Sequence, residues 1–197
     1  MKSNICRIEK GTLDLEAILK ESEKVATYNE LTEKQKLQLR LICEELDGML
    51  PNVVDEFDGG FWIDFENGVC KINVLIEFKE FTADKKKELI QIAKNKKNSA
   101  TKGIFGKIRS VIEDCFLDSE NAKAYDMSGL FNFANEYAVL MDYSYMWSLE
   151  QYKHIVKREE QKQEWDELEK SIITSFADDV IIGVKGRQAS IVIVKKF

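Results

Sequence analysis

Few side chains in this sequence have both the type and the spacing for chemistry. Two adjacent carboxylates, Glu44 and Glu45, lie in the run Leu-Gln-Leu-Arg-Leu-Ile-Cys-Glu-Glu-Leu-Asp-Gly-Met-Leu at residues 37–50. Placed on a helix, Leu39, Ile42, Cys43, Leu46 and Leu50 share the spacing of a buried stripe. Leu37, Leu41, Glu44 and Gly48 form a second stripe on roughly the opposite side. A helix apolar on two sides lies between a sheet and something else, and a carboxylate beside a glycine is what a helix flooring a ligand pocket would show. The plainer alternative is that both glutamates pair with Arg40 or Lys36 across one helical turn. A second cluster is Lys102-Gly103-Ile104-Phe105-Gly106-Lys107, which opens another helix. Unpaired amides and the helix dipole at that end would favour an anion. Here the plainer alternative is that Gly103 is an N-cap and Gly106 permits close packing.

Other chemistries are excluded by count or context. The one histidine, His154, has Lys153, Lys157 and Arg158 for neighbours, with neither a carboxylate partner nor an apolar wall. It reads as a surface residue, and sites with several histidine ligands or a Ser-His-Asp mechanism drop out. Cys6, Cys43, Cys70 and Cys115 are far apart, each in an apolar pattern. With no Cys-x-x-Cys, they point to buried thiols in a reducing cytoplasm rather than to a metal site or a redox pair. A net charge of -6 over 197 residues argues against nucleic acid as a partner, because no basic excess exists to displace counterions. No run approaches the roughly 20 apolar residues of a membrane span. Residues 1–10 lack the apolar core of a secretion signal.

The elements that must position these groups follow from periodicity. Residues 3–10 predict a short strand, ended by Gly11. Thr12 or Asp14 caps a helix carrying Leu15, Ile18, Leu19, Val25 and Ala26. Thr32 and Gln35 form a capping box at the start of the helix with the paired carboxylates, and Pro51 predicts its end near Leu50. Asp58-Gly59-Gly60 reads as a turn before a strand at 61–65, and Asn67-Gly68 as the type I′ turn of a hairpin whose second strand is 69–78. Residues 83–94 predict a short helix. The basic stretch 94–102 reads as a solvated loop, or more sharply as a lid over an anionic ligand. A helix over 103–117 buries Ile104, Phe105, Ile108, Val111, Ile112, Cys115 and Phe116. Residues 125–177 read as helical throughout, and strands at 180–184 and 189–194, around Lys185-Gly186, make a second hairpin.

This order resembles the histidine-kinase-like (GHKL) ATPase fold, and within it most closely the anti-sigma-factor kinases, which also begin with a strand and a helix. The likeness covers residues 3–116 and 180–197. It implies an α/β two-layer sandwich with a mainly antiparallel sheet and helices on one face, built from 1–117 and 178–197, with 118–177 as a helical insertion. The family's pocket helix carries a Glu that orients or activates water and, four residues on, an Asn that helps bind magnesium. These fall on Glu44 and Gly48. Its Asp-x-Gly-x-Gly, whose Asp reads the adenine amino group, falls on Glu77-Phe78-Lys79-Glu80-Phe81, a carboxylate without glycines. Its phosphate loop falls on Lys102, Gly103, Gly106 and Lys107, and its final Gly-Thr is reduced to Gly186-Arg187.

The resemblance therefore implies ATP with magnesium as the possible cofactor, Glu44 as the catalytic candidate, and Glu77, Lys102, Gly103, Gly106 and Lys107 as nucleotide contacts. The lost glycines and the lost Asn point away from an enzyme and towards a cytoplasmic regulator that binds a protein. Two alternatives stand beside it: an interaction module without nucleotide, working through its helical segment, and an intact ATP-dependent kinase. The density of large apolar groups in 125–156, on more than one side of a helix, means either that the segment folds back as two or three helices packed on each other or that it leaves an exposed aromatic patch at Phe131, Tyr143, Tyr145 and Trp147, the reading preferred here. Its occupant would be a protein partner or a second copy of the chain.

Overall fold

The computed structural model describes residues 1–9, 14–53, 57–78, 104, 106, 108, 111, 145–158, 171–185 and 188–197. In chain order these hold β1 (Cys6–Glu9), α1 (Leu15–Tyr28), α2 (Glu33–Val53), β2 (Phe57–Glu66) and β3 (Val69–Phe78). After them come β4 (Tyr145–Ser148), α3 (Leu149–Arg158), α4 (Ile172–Phe176), β5 (Asp179–Lys185) and β6 (Gln188–Lys196). Residues 104, 106, 108 and 111 are helical, as their spacing predicts.

The strands form one antiparallel sheet in the order β1-β2-β3-β6-β5-β4. The two hairpins are therefore neighbours, joined by β3 against β6 with Ile72 opposite Ile193. In the first hairpin Asn67 and Gly68 have φ of 51° and 77°, as a type I′ turn requires. A row of residues crosses the whole sheet on the helix side: Cys6, Phe61, Val74, Ile191, Ile182 and Trp147. Above such rows pack Ile18, Val25 and Ala26 of α1 and Leu39, Ile42, Cys43, Leu46 and Leu50 of α2, with Ile104, Ile108 and Val111 in the same core. At roughly 25 cal/mol per Å² of apolar surface removed from water, this layer is the main source of stability.

The two halves of the sheet differ. In β3, buried Cys70, Ile72, Val74 and Ile76 alternate with half-buried Lys71, Asn73 and Leu75 and exposed Glu77. In β5 and β6 almost every residue is buried, and Ile181, Val192 and Val194 form a small second cluster on the far face with Val69 and Met146. The amino-acid pattern agrees: alternation in the first hairpin, continuous apolar runs in the second.

The N-terminal edge contains a bulge. Met1, Lys2 and Ser3 sit opposite Phe65, Asp64 and Ile63, but Cys6 sits opposite Phe61, so Asn4 and Ile5 share the single partner Trp62. Glu21 of α1 accepts from the Asn4 backbone N–H at 3.0 Å and from its side-chain amide at 3.2 Å, while Ile5 is turned out and 66% exposed.

Three expectations are corrected. Gly59 and Gly60 lie inside β2, not in a turn. A Cβ on Gly59 would come within 2.2 Å of the Leu75 carbonyl oxygen, so glycine there marks close backbone approach. α2 continues to Val53, through Pro51. A proline in the final turn forfeits one backbone bond, and the fully buried Leu50 anchors that turn to the core. Tyr145–Ser148 is a strand within the stretch expected to be wholly helical. Tyr and Trp suit an edge strand, and pairing with Ile181–Val184 outweighs a helical reading of so short a segment. The expected helix at 83–94 and loop at 94–102 lie outside the described residues.

Gly59→Ala is expected to lower stability by at least ~2 kcal/mol in urea unfolding. Gly60→Ala, where the nearest atom is the tip of exposed Ile5, should cost less than about 1 kcal/mol in the same assay.

The Glu21 carboxyl is held below the ordinary carboxylate range, first by the hydrogen bond from Lys24, against burial, and then by the bonds from Asn4. A lowered folded-state value means stability that is present above the unfolded value of 4.5 and lost as pH falls through the folded one. Urea midpoints of Glu21→Gln should therefore fall less steeply than wild type between neutral pH and acid.

Candidate functional site

The candidate site starts from α2. Its N-terminus is set by the capping box: Thr32 N–H donates to Gln35 Oε1 at 2.8 Å, and Gln35 N–H donates to Thr32 Oγ1 at 3.4 Å. With the core stripe buried, the second stripe faces outward. Leu37 is 56% exposed, Leu41 and Glu44 are half-buried, and a Cβ on Gly48 would meet only open space.

The paired carboxylates have different work. Arg40 Nε donates to Glu44 Oε1 at 2.8 Å, the one-turn ion pair that the spacing allows. Glu45 instead reaches α4. Ser171 Oγ donates to both Glu45 oxygens at 3.1 Å, the Ile172 N–H donates to Oε1 at 3.1 Å, and the Ile173 N–H donates to Oε2. Ser171 is also the N-cap of α4, accepting from the Thr174 N–H. Glu45 thus satisfies first-turn amides that would otherwise be orphaned, with its negative charge at the favourable end of the short helix.

Asp47, on the flank of the same helix, has no such partner. Its Oδ1 is buried without a hydrogen bond, and burial pushes the carboxyl above the ordinary aspartate range.

Glu77 does not join this group. Its strand neighbour Ile76 belongs to the core under the helices, so Glu77 projects from the opposite face of the sheet, where it is exposed. The core layer separates it from Glu44. Gly106 is buried on its helix between Ile104 and Ile108, which fits the close-packing alternative. Lys102, Gly103 and Lys107 lie outside the described residues, as do Phe131 and Tyr143. Trp147 is half-buried on the core side of β4, packed against the main cluster and against Tyr152 with ring centroids 5.9 Å apart. Tyr145 begins that strand.

Cys115 lies outside the described residues. Burial pushes the Cys70 thiol up to about 12 and the Cys43 thiol higher still, so neither supplies a thiolate nucleophile. His154 is exposed on α3. Among the described residues no three His, Cys, Asp or Glu side chains are grouped to hold a metal ion, and no helix is long and apolar enough to cross a membrane.

No protein-family model matches the chain, and no curated protein or solved structure is significantly similar to it.

Besides Glu21, two polar anchors escaped the sequence reading. One is Glu45 on α4, for which Ser171-Ile172-Ile173-Thr174 offered only a weak capping signal. The other is Asp179. It is buried and accepts from Ser148 Oγ at 3.0 Å and from the Glu150 N–H at 2.9 Å, tying the start of α3 to β5.

Glu45→Ala would strand one hydroxyl and two amides and should cost ~1–3 kcal/mol in urea unfolding. Glu44→Ala, which removes one partly exposed helical ion pair, should change stability by about 0.5 kcal/mol or less.

For Asp47 the sign is opposite to that of Glu21. A raised folded-state value penalises the ionised form, so the penalty is present at neutral pH and fades as pH falls towards the ordinary value of 3.8. Asp47→Asn should therefore melt above wild type at pH 7, with the difference shrinking towards pH 4.

Proposed function

We propose that this chain is a regulatory protein with a histidine-kinase-like ATPase fold that acts by binding another protein, in the manner of anti-sigma factors, with nucleotide chemistry weak or absent. The observation that carries the reading is the arrangement of the two hairpins side by side in one sheet, with the buried stripe of α2 in the same core. That is the arrangement the resemblance calls for. The order of strand, two helices and hairpin before it supports the same reading.

The degenerate character is argued from the residues that would have to hold magnesium and adenine. Gly48 offers no side-chain ligand where the family has Asn. Glu44 is engaged by Arg40. Glu77 projects from the sheet face away from α2, so Glu44 and Glu77 do not fit the two ends of one nucleotide. Phosphoryl transfer depends on positioned magnesium, and Gly48 supplies no side chain to position it. Protein binding depends on surface shape and survives such losses. A cytoplasmic setting follows from the same reading, as does a protein partner or a second copy of the chain.

The test is thermal and enzymatic. A ligand at about 100 times its dissociation constant stabilises a fold by roughly 2.7 kcal/mol. Millimolar Mg-ATP is expected to leave the melting temperature unchanged, and ATP turnover should stay at background. Gly48→Asn should not restore turnover, because the adenine-reading residues are also missing. Hydrolysis that disappears in Glu44→Ala would overturn the proposal in favour of an intact ATP-dependent kinase.

A further inference from the structure

We draw no further inference here: the strongest candidate, the apolar cluster of Ile181, Val192 and Val194 on the face of β5 and β6 opposite the helices, carries nothing because nothing in the described structure shows what covers it.

Discussion

Burial of one side of α2 against the sheet is the constraint on which the other features depend. Leu39, Ile42, Cys43, Leu46 and Leu50 share one buried core with Ile63, Ile72 and Val74 of the sheet. Once that stripe is committed, the remaining positions of the helix have fixed directions. Glu45 falls on one flank, within reach of α4. Asp47 falls on the other, without a hydrogen-bonding partner for its buried oxygen. Glu44 and Gly48 face away from the core. The roles of these four neighbours follow from 100° steps around a helix whose buried side is already chosen.

Among the described residues, three carboxylates tie one element to another. Glu21 holds the spare amide of the N-terminal bulge, Glu45 holds the first turn of α4, and Asp179 holds the first turn of α3. Each accepts from backbone N–H groups that regular secondary structure leaves unpaired. The apolar layer sets which surfaces meet but has no directional preference; these charge-assisted bonds fix where along the surface each segment sits.

Much of the fold was legible because its signals are periodic and local. The stripe on α2, the Thr32–Gln35 box, the Asn-Gly turn and the alternation of β3 each express one geometric rule within a dozen residues. Failures came where a distant contact decided the outcome. Gly59 has the composition of a turn residue, yet it is glycine because the Leu75 backbone occupies the place of a side chain. Tyr145–Ser148 is a strand only because the edge of β5 is there to receive it. The candidate site was less legible than the fold. Spacing placed Glu44 on an outward face and offered Arg40 as its partner, and both hold. It could not show that Glu45 is the more constrained carboxylate, since its partners lie more than a hundred residues away. Nor could a motif alignment show that Glu77 occupies the far side of the sheet, because that depends on which set of alternate residues the helices cover.

The bulge at Asn4 and Ile5 has a further consequence for the molecule in a crowded solution. An open sheet ends in two rows of backbone donors and acceptors, each a template on which a foreign strand could add. On one side the spare residue breaks the straight row, and Glu21 already occupies the Asn4 amide. On the other side β4 is only four residues long against the seven of β5, and an Asp179 carboxylate oxygen takes the Val180 N–H. Among the described residues, lateral growth thus finds no long, regular border on either flank. These irregularities keep the sheet finite.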